Sequence, residues 1–202
     1  MFAAIFRRKW TTVDYVLVVV LAALYAVALM TLANIKLIPS VPVRPANALQ
    51  PVFGMLFGLP GCLGLAFGNL INDLIIGDPL PHKLIVGFII NFLGGFLGLL
   101  FVSHPLLKTI RSVVEYYFFV VILASGIIAG SIWVNVLLGF TPVEIATAFT
   151  PIVFANQAIA TGVLGPVLLR LLHPFVKRAG LYRGLPIRTS GSTVNNQGVN
   201  NA

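Results

Sequence analysis

Residues 15–33 read YVLVVVLAALYAVALMTLA, an apolar run without a single charge. A helix of roughly 20 such residues crosses a bilayer, because in lipid each backbone N–H and C=O must be satisfied within its own segment. Runs of the same kind recur along most of the chain, which restricts the fold more than any motif does. Of the 202 residues, 58% are hydrophobic and only 9% charged, with a mean hydropathy of +1.01. A soluble surface needs far more charge than this. The first run is too long for the apolar core of a secretory signal and further spans follow it, so it is read as a retained first helix.

The expected architecture is an all-α bundle of six transmembrane helices. The first covers about residues 13–33. The apolar stretch of residues 46–77 is too long for one comfortable span and is interrupted at Leu59-Pro60-Gly61. It divides into a short second helix and a third opening at Pro60, a residue that suits a helix start. The fourth covers about residues 82–102 and the fifth 113–138. The sixth, 142–172, is long enough to tilt or to extend beyond the bilayer, with Pro151 and Pro166 as points for a kink. One membrane domain, residues 1–182, is followed by a polar segment, 183–202, expected to be a disordered cytoplasmic tail.

The net charge of +8 would suggest nucleic acid in a soluble protein. Here the basic residues stand at the termini and in short connectors, with no aromatic residues interleaved. Six spans put both termini on one side, together with the connectors after helices two and four. That side then holds every Lys and Arg except Lys36, Arg44 and Lys83. By the positive-inside rule it is cytoplasmic, in a multi-pass protein of the cell membrane. Five spans would place the two basic termini on opposite faces.

Small residues recur at four-residue spacing: Ala22 and Ala26, Gly54 and Gly58, Gly64 and Gly68, Gly94 and Gly98, Gly126 and Gly130. Such pairs let helices approach closely in lipid, either within the bundle or against a partner protein.

Polar residues inside a membrane are costly, so each requires a partner or a role. Asn69, Asn72 and Asp73 stand at i, i+3 and i+4, on one helix face toward the external end of helix three. Asn91 falls near the middle of helix four. Trp133 and Asn135 lie toward the external end of helix five, and Glu144, Asn156 and Gln157 on helix six. Arg44, Asn47 and Gln50 belong to the external connector or the start of helix two. Their common location suits a pocket open to the outside. Simpler roles compete: interhelical bonding for an Asn, a membrane-interface anchor for Trp133, and a Thr141–Glu144 capping box. Arg44 has three options: lipid headgroups, pairing with Asp73 or Asp78, or a ligand. Glu115 is expected to pair with Arg111.

Enzyme motifs are missing. There is no H-E-x-x-H, CxxC, GxSxG or phosphate-binding loop, and no catalytic residue is assigned. His82, His104 and His173 lack metal-ligand spacing, and neither a metal nor a cofactor is expected. The single cysteine, Cys62, lies in an apolar run and reads as a buried, inert thiol. Any ATP-driven step would need partner subunits.

The segment VRPANALQPVFGMLFGLPGCLGLAFGNLINDL, residues 43–74, and the C-terminal GVLGPVLLRLLHPFVKRAGLY resemble the QueT group among substrate-binding S components of energy-coupling factor (ECF) transporters. With the helix pattern, the likeness covers about residues 13–182. Asn47 departs from it, standing where the group's pattern carries an acidic residue. The resemblance implies an uptake subunit that captures a small nutrient from outside. Its partners would be an EcfT-like coupling protein and two ABC-type ATPase subunits. It also implies a queuosine precursor, a 7-deazaguanine base, as ligand, and Ala22 and Ala26 as the motif meeting the coupling protein. For such a base the amides would read the heterocycle edge, Trp133 would stack on the ring, and Asp73 or Glu144 would accept N–H groups. The opening MFAAIF lacks the Met-His start of the related nickel and cobalt subunits. Two alternatives stand beside this: an S component for another vitamin or nucleobase, and a non-transporting membrane scaffold using its small-residue faces.

Overall fold

The computed structural model describes residues 9–32, 36–38, 41–42, 44–77 and 80–184. The segment expected to form a tail lies outside the described residues from residue 185 onward, as do Arg7, Arg8, Arg188 and Asp78. Within these limits the chain is helical apart from a short antiparallel ribbon of β1 (Lys36–Ile38) and β2 (Val41–Pro42). Five helical stretches are long and apolar enough to cross a membrane. They are α1 (Thr12–Leu32), α2 (Leu49–Ile75, entered through a 3-10 turn at Pro45–Ala48), α3 (Pro81–Phe101), α4 (Ile110–Leu137) and α5 (Val143–Arg178). Helix α4 begins earlier than the expected fifth helix, and α5 runs further than the expected sixth. The long apolar runs form these helices for the reason that defined them in the sequence.

The second stretch is not straight. At Gly58 the backbone adopts φ 62° and ψ −141°, a conformation essentially confined to glycine. Residues on both sides of it meet the same point on α3. A Cβ on Gly95 would lie 3.2 Å from the Gln50 main-chain oxygen, 3.4 Å from Cys62 Sγ and 2.7 Å from Leu65 Cδ1. On an unbroken helix Gln50 and Leu65 would stand about 22 Å apart. The chain therefore folds back at Gly58 into two limbs, residues 49–57 and 59–75. The division expected at Leu59-Pro60-Gly61 falls one residue earlier, with Pro60 at the start of the second limb.

This doubled element is the centre of the bundle. Of its most apolar window 83% is buried, against 22% for α4, whose side chains mostly face outward. The limbs pack between α1 and α3. Ala22 and Ala26, the residues expected to meet a coupling protein, are instead buried inside the chain. A Cβ on Gly68 would sit 2.6 Å from the Ala22 main-chain oxygen, and one on Gly64 3.3 Å from its nitrogen. Their spacing serves close approach of α1 to the second limb, so they offer no surface to a partner. A Cβ on Gly126 or Gly130 of α4 would meet nothing within 4 Å beyond its own helix.

In α5 the kink expected at Pro166 appears as a π-turn, Ala160–Leu164. Pro166 has no N–H to give to the turn before it. The carbonyls of Thr161 and Gly162 are satisfied by side chains of α4 instead: Tyr116 donates to Thr161 O at 2.7 Å and Tyr117 to Gly162 O at 3.0 Å. The Tyr–Tyr pair thereby fastens α4 to α5 in a medium that supplies no water.

One end of the bundle closes on itself. Arg183 Nε donates to Asp14 at 2.8 Å, and the main-chain nitrogens of Arg183 and Gly184 donate to Leu56 O at 2.8 and 3.2 Å. Arg183 and Gly184, at the start of the segment read as tail, are thus bound to the bundle. The described chain begins and ends at this end, beside the Gly58 turn. Lys9, Lys108, Arg111, Lys177 and Arg178 stand there as well, consistent with the helix ends to which they belong.

Candidate functional site

At the opposite end the helices separate around a cavity of about 450 Å³. Because α2 doubles back, its beginning and its end both reach this space. Arg44, Asn47 and Gln50 enter from the start of the first limb, and Asn69 and Asp73 from the end of the second. Asn91 comes from α3, and Asn156 and Gln157 from α5. Arg44 and Asp73 therefore border one void although 29 positions separate them in sequence.

Each polar side chain is placed by a local cause. Arg44 precedes a proline, which keeps its backbone out of the helical region (φ −101°, ψ 86°), and its N–H donates to Asn156 Oδ1 at 2.9 Å. Neither the Arg44 guanidinium nor the Asn47 side-chain amide makes a hydrogen bond or ion pair among the described residues. On the second limb Asn69 Nδ2 donates to Asp73 Oδ2 at 2.7 Å, and Asn72 Nδ2 to Oδ1 at 3.3 Å. The i, i+4 spacing that put Asn69 and Asp73 on one face thus also joins them. Asn72 supports the carboxylate but does not line the cavity.

Deeper in, four buried side chains form a floor. Asn91 Oδ1 accepts from Tyr25 Oη at 2.7 Å and from Gln50 Nε2 at 2.9 Å, while Gln157 Nε2 donates to Gln50 Oε1 at 2.7 Å. Tyr25 did not enter the sequence-based set. It shares an inward helix face with Ala22, Ala26 and Leu29, and that three-and-four spacing was the available signal. The rest of the lining is largely apolar: Ile90, Ile128, Phe149, Ile152 and Val153. Phe149, Ile152, Val153 and Asn156 recur at i, i+3, i+4 and i+7 on α5, so its cavity face was also readable.

Three further expected residues stand apart. Trp133 donates from Nε1 to Thr150 Oγ1 at 3.1 Å and does not border the cavity, so it cannot stack on a ligand there. Asn135 is engaged by His82 at 3.0 Å, and His82 stacks on Phe140 with centroids 4.3 Å apart. This contact ties the start of α3 to the α4–α5 connector. Glu144 is exposed, outside the cavity, and forms no capping box: the N-cap is Pro142, which has no side-chain cap bond. Aromatic surface in the cavity comes from Tyr25 and Phe149 instead.

The cavity thus combines one guanidinium, one carboxylate, a cluster of neutral amides and an apolar lining. That combination suits a small molecule with both polar and apolar parts better than an ion. Among the described residues, no three His, Cys, Asp or Glu side chains gather as metal ligands would. Cys62 is buried away from the cavity lining. No family model matches this chain, and neither a curated protein nor a solved structure matches it.

Proposed function

We propose that this chain is the substrate-binding S component of an ECF-type importer, crossing the membrane six times with its termini in the cytoplasm. One observation carries the reading. Eight of the polar side chains singled out in the sequence, from four separate stretches, surround a single cavity at the end remote from the chain termini. Costly intramembrane polar groups gathered around a void have their simplest use in binding.

The reversal at Gly58 supports an even number of crossings, as does the Asp14–Arg183 pair joining the beginning and end of the described chain. The first limb with its 3-10 turn spans only about 20 Å, so Arg44 is drawn toward the bilayer at the mouth of the cavity. Cations concentrated at the closed end support a cytoplasmic position for that end and an extracytoplasmic one for the cavity.

The ligand is a small nutrient, with a 7-deazaguanine base as the specific candidate. Amides and Asp73 would read its edge, and the Phe149 wall would receive its face. Energy would come from an EcfT-like coupling protein and two ABC ATPases, meeting a face other than Ala22 and Ala26. Mass spectrometry of small molecules copurifying with the detergent-solubilised chain tests the proposal. A deazaguanine is the expected result, and a different vitamin or base would redirect it. Absence of any ligand, with no binding by the folded protein, would leave the scaffold alternative.

A further inference from the structure

The amides on the cavity floor form a chain whose hydrogen-bond polarity is set at one end. The main-chain oxygen of Gly87 can only accept, so Asn91 turns its Nδ2 toward it, at 2.8 Å. Asn91 Oδ1 is left facing Gln50, which must answer with Nε2, at 2.9 Å. Gln50 Oε1 then receives Gln157 Nε2, at 2.7 Å. Each amide is oriented by its predecessor, so the assignment rests on a carbonyl that cannot be reversed rather than on the shape of any one amide. The series ends at Gln157. Its Oε1 is buried, and no donor among the described residues reaches it. An unpaired carbonyl oxygen in so dry a setting is costly. Among the described residues the other buried side-chain atom without a partner, Ser125 Oγ, belongs to a residue that does not border the cavity.

We propose that Gln157 Oε1 is the acceptor for a hydrogen-bond donor carried by the ligand, which makes Gln157 a specificity-determining residue of the site. This rests on reading the cavity as a ligand site. The floor residues Tyr25, Gln50, Asn91 and Gln157 are uncharged, so the buried edge of the ligand is a neutral one bearing an N–H or O–H. Any charged substituent stays at the mouth, with Arg44 and Asp73. A molecule of the same shape with only acceptors on its buried edge is rejected, because it would set oxygen against oxygen.

Titration calorimetry of the purified full chain in detergent reads this directly. The probe is 7-deazaguanine, compared with three analogues that each lack one donor. In one the pyrrole N–H is replaced by oxygen, in another the exocyclic amine is removed, and in the third the ring N1 is methylated. At least one analogue is expected to bind about tenfold more weakly than the parent. Gln157→Met, which removes the acceptor at similar volume, should bring that ratio to within about twofold of one and leave the other ratios in place. Gln157→Glu, buried and therefore in its neutral acid form, donates its O–H to Gln50 Oε1 and keeps a carbonyl acceptor, so it should keep the discrimination, which covers failure of the methionine variant to fold. Equal affinities across the series, an unchanged ratio in Gln157→Met, or loss of discrimination in Gln157→Glu would overturn the proposal. Failure of the parent base to bind the folded wild-type chain would instead remove the substrate assignment above, and this inference with it.

Discussion

The two ends of the bundle use polar groups in opposite ways. At the closed end they are matched within the chain. Arg183 meets Asp14, Leu56 O takes two N–H donors, and Glu115 accepts from Arg111 Nε and Ser103 N, each at 2.7 Å. Thr109 and Ser112 form a reciprocal capping box there. At the cavity end the Arg44 guanidinium, the Asn47 amide and Gln157 Oε1 have no such partner among the described residues. The difference separates stabilising polarity from binding polarity. Groups already matched hold the fold, while groups left over can meet something that arrives.

The comparison breaks most easily at the closed end. The side chains of Asp14 and Arg183 are 4% and 13% exposed, so Asp14→Ala leaves a nearly buried cation unpaired. A loss of about 3–5 kcal/mol is expected, read as a lower unfolding temperature in detergent. The double variant with Arg183→Met should recover part of it, and an unchanged single variant would show the pair to be idle. Next in size is Gly58→Ala. Its new Cβ would lie 2.5 Å from Arg183 O in a backbone region closed to alanine. About 3 kcal/mol of destabilisation follows, again seen in thermal unfolding.

At the cavity end the expected pattern inverts. Arg44→Ala and Asn47→Ala should leave the stability read from thermal unfolding within about 0.5 kcal/mol of wild type. Each should weaken binding of the deazaguanine probe by about tenfold, as calorimetry would record. A large stability loss with no binding loss would move these residues to the structural class. Asp73→Ala should affect both, since its carboxylate holds Asn69 and Asn72 as well as lining the cavity.

The smallest effect concerns pH. Burial, then the neighbouring Lys108, holds the His104 imidazole below its usual range, and its neutral Nδ1 accepts from Leu106 N at 3.1 Å. A histidine whose folded-state pKa is depressed stabilises the fold fully above its unfolded value, about 6.5. That contribution is lost as pH falls from there through the folded value. Unfolding temperatures between about pH 7.5 and pH 5.5 should therefore decline slightly in the wild type, and less in His104→Gln. An identical slope in both would assign the decline to other groups.

Hydropathy and charge in the sequence were enough to define an all-helical chain with several membrane-length stretches, because a bilayer admits few alternatives for an uncharged run of this length. The interruption near Pro60 pointed to the reversal, since glycine and proline mark where a helix cannot continue. Polar residues in apolar helices pointed to the cavity for the same reason of cost: Arg44, Asn47, Gln50, Asn69, Asp73, Asn91, Asn156 and Gln157 all border it. Spacing could not say which face of a helix looks inward when every face is apolar. Ala22 and Ala26 turned out to be interior, Trp133 and Asn135 found partners outside the cavity, and Tyr25 and Phe149 entered it. The direction of the amide series was likewise decided only in three dimensions. It depends on Gly87 O lying opposite Asn91, and on Gln50 standing between α3 and α5. Transfer cost is a property of each residue and can be read one position at a time. Facing and hydrogen-bond polarity belong to pairs brought together by the fold.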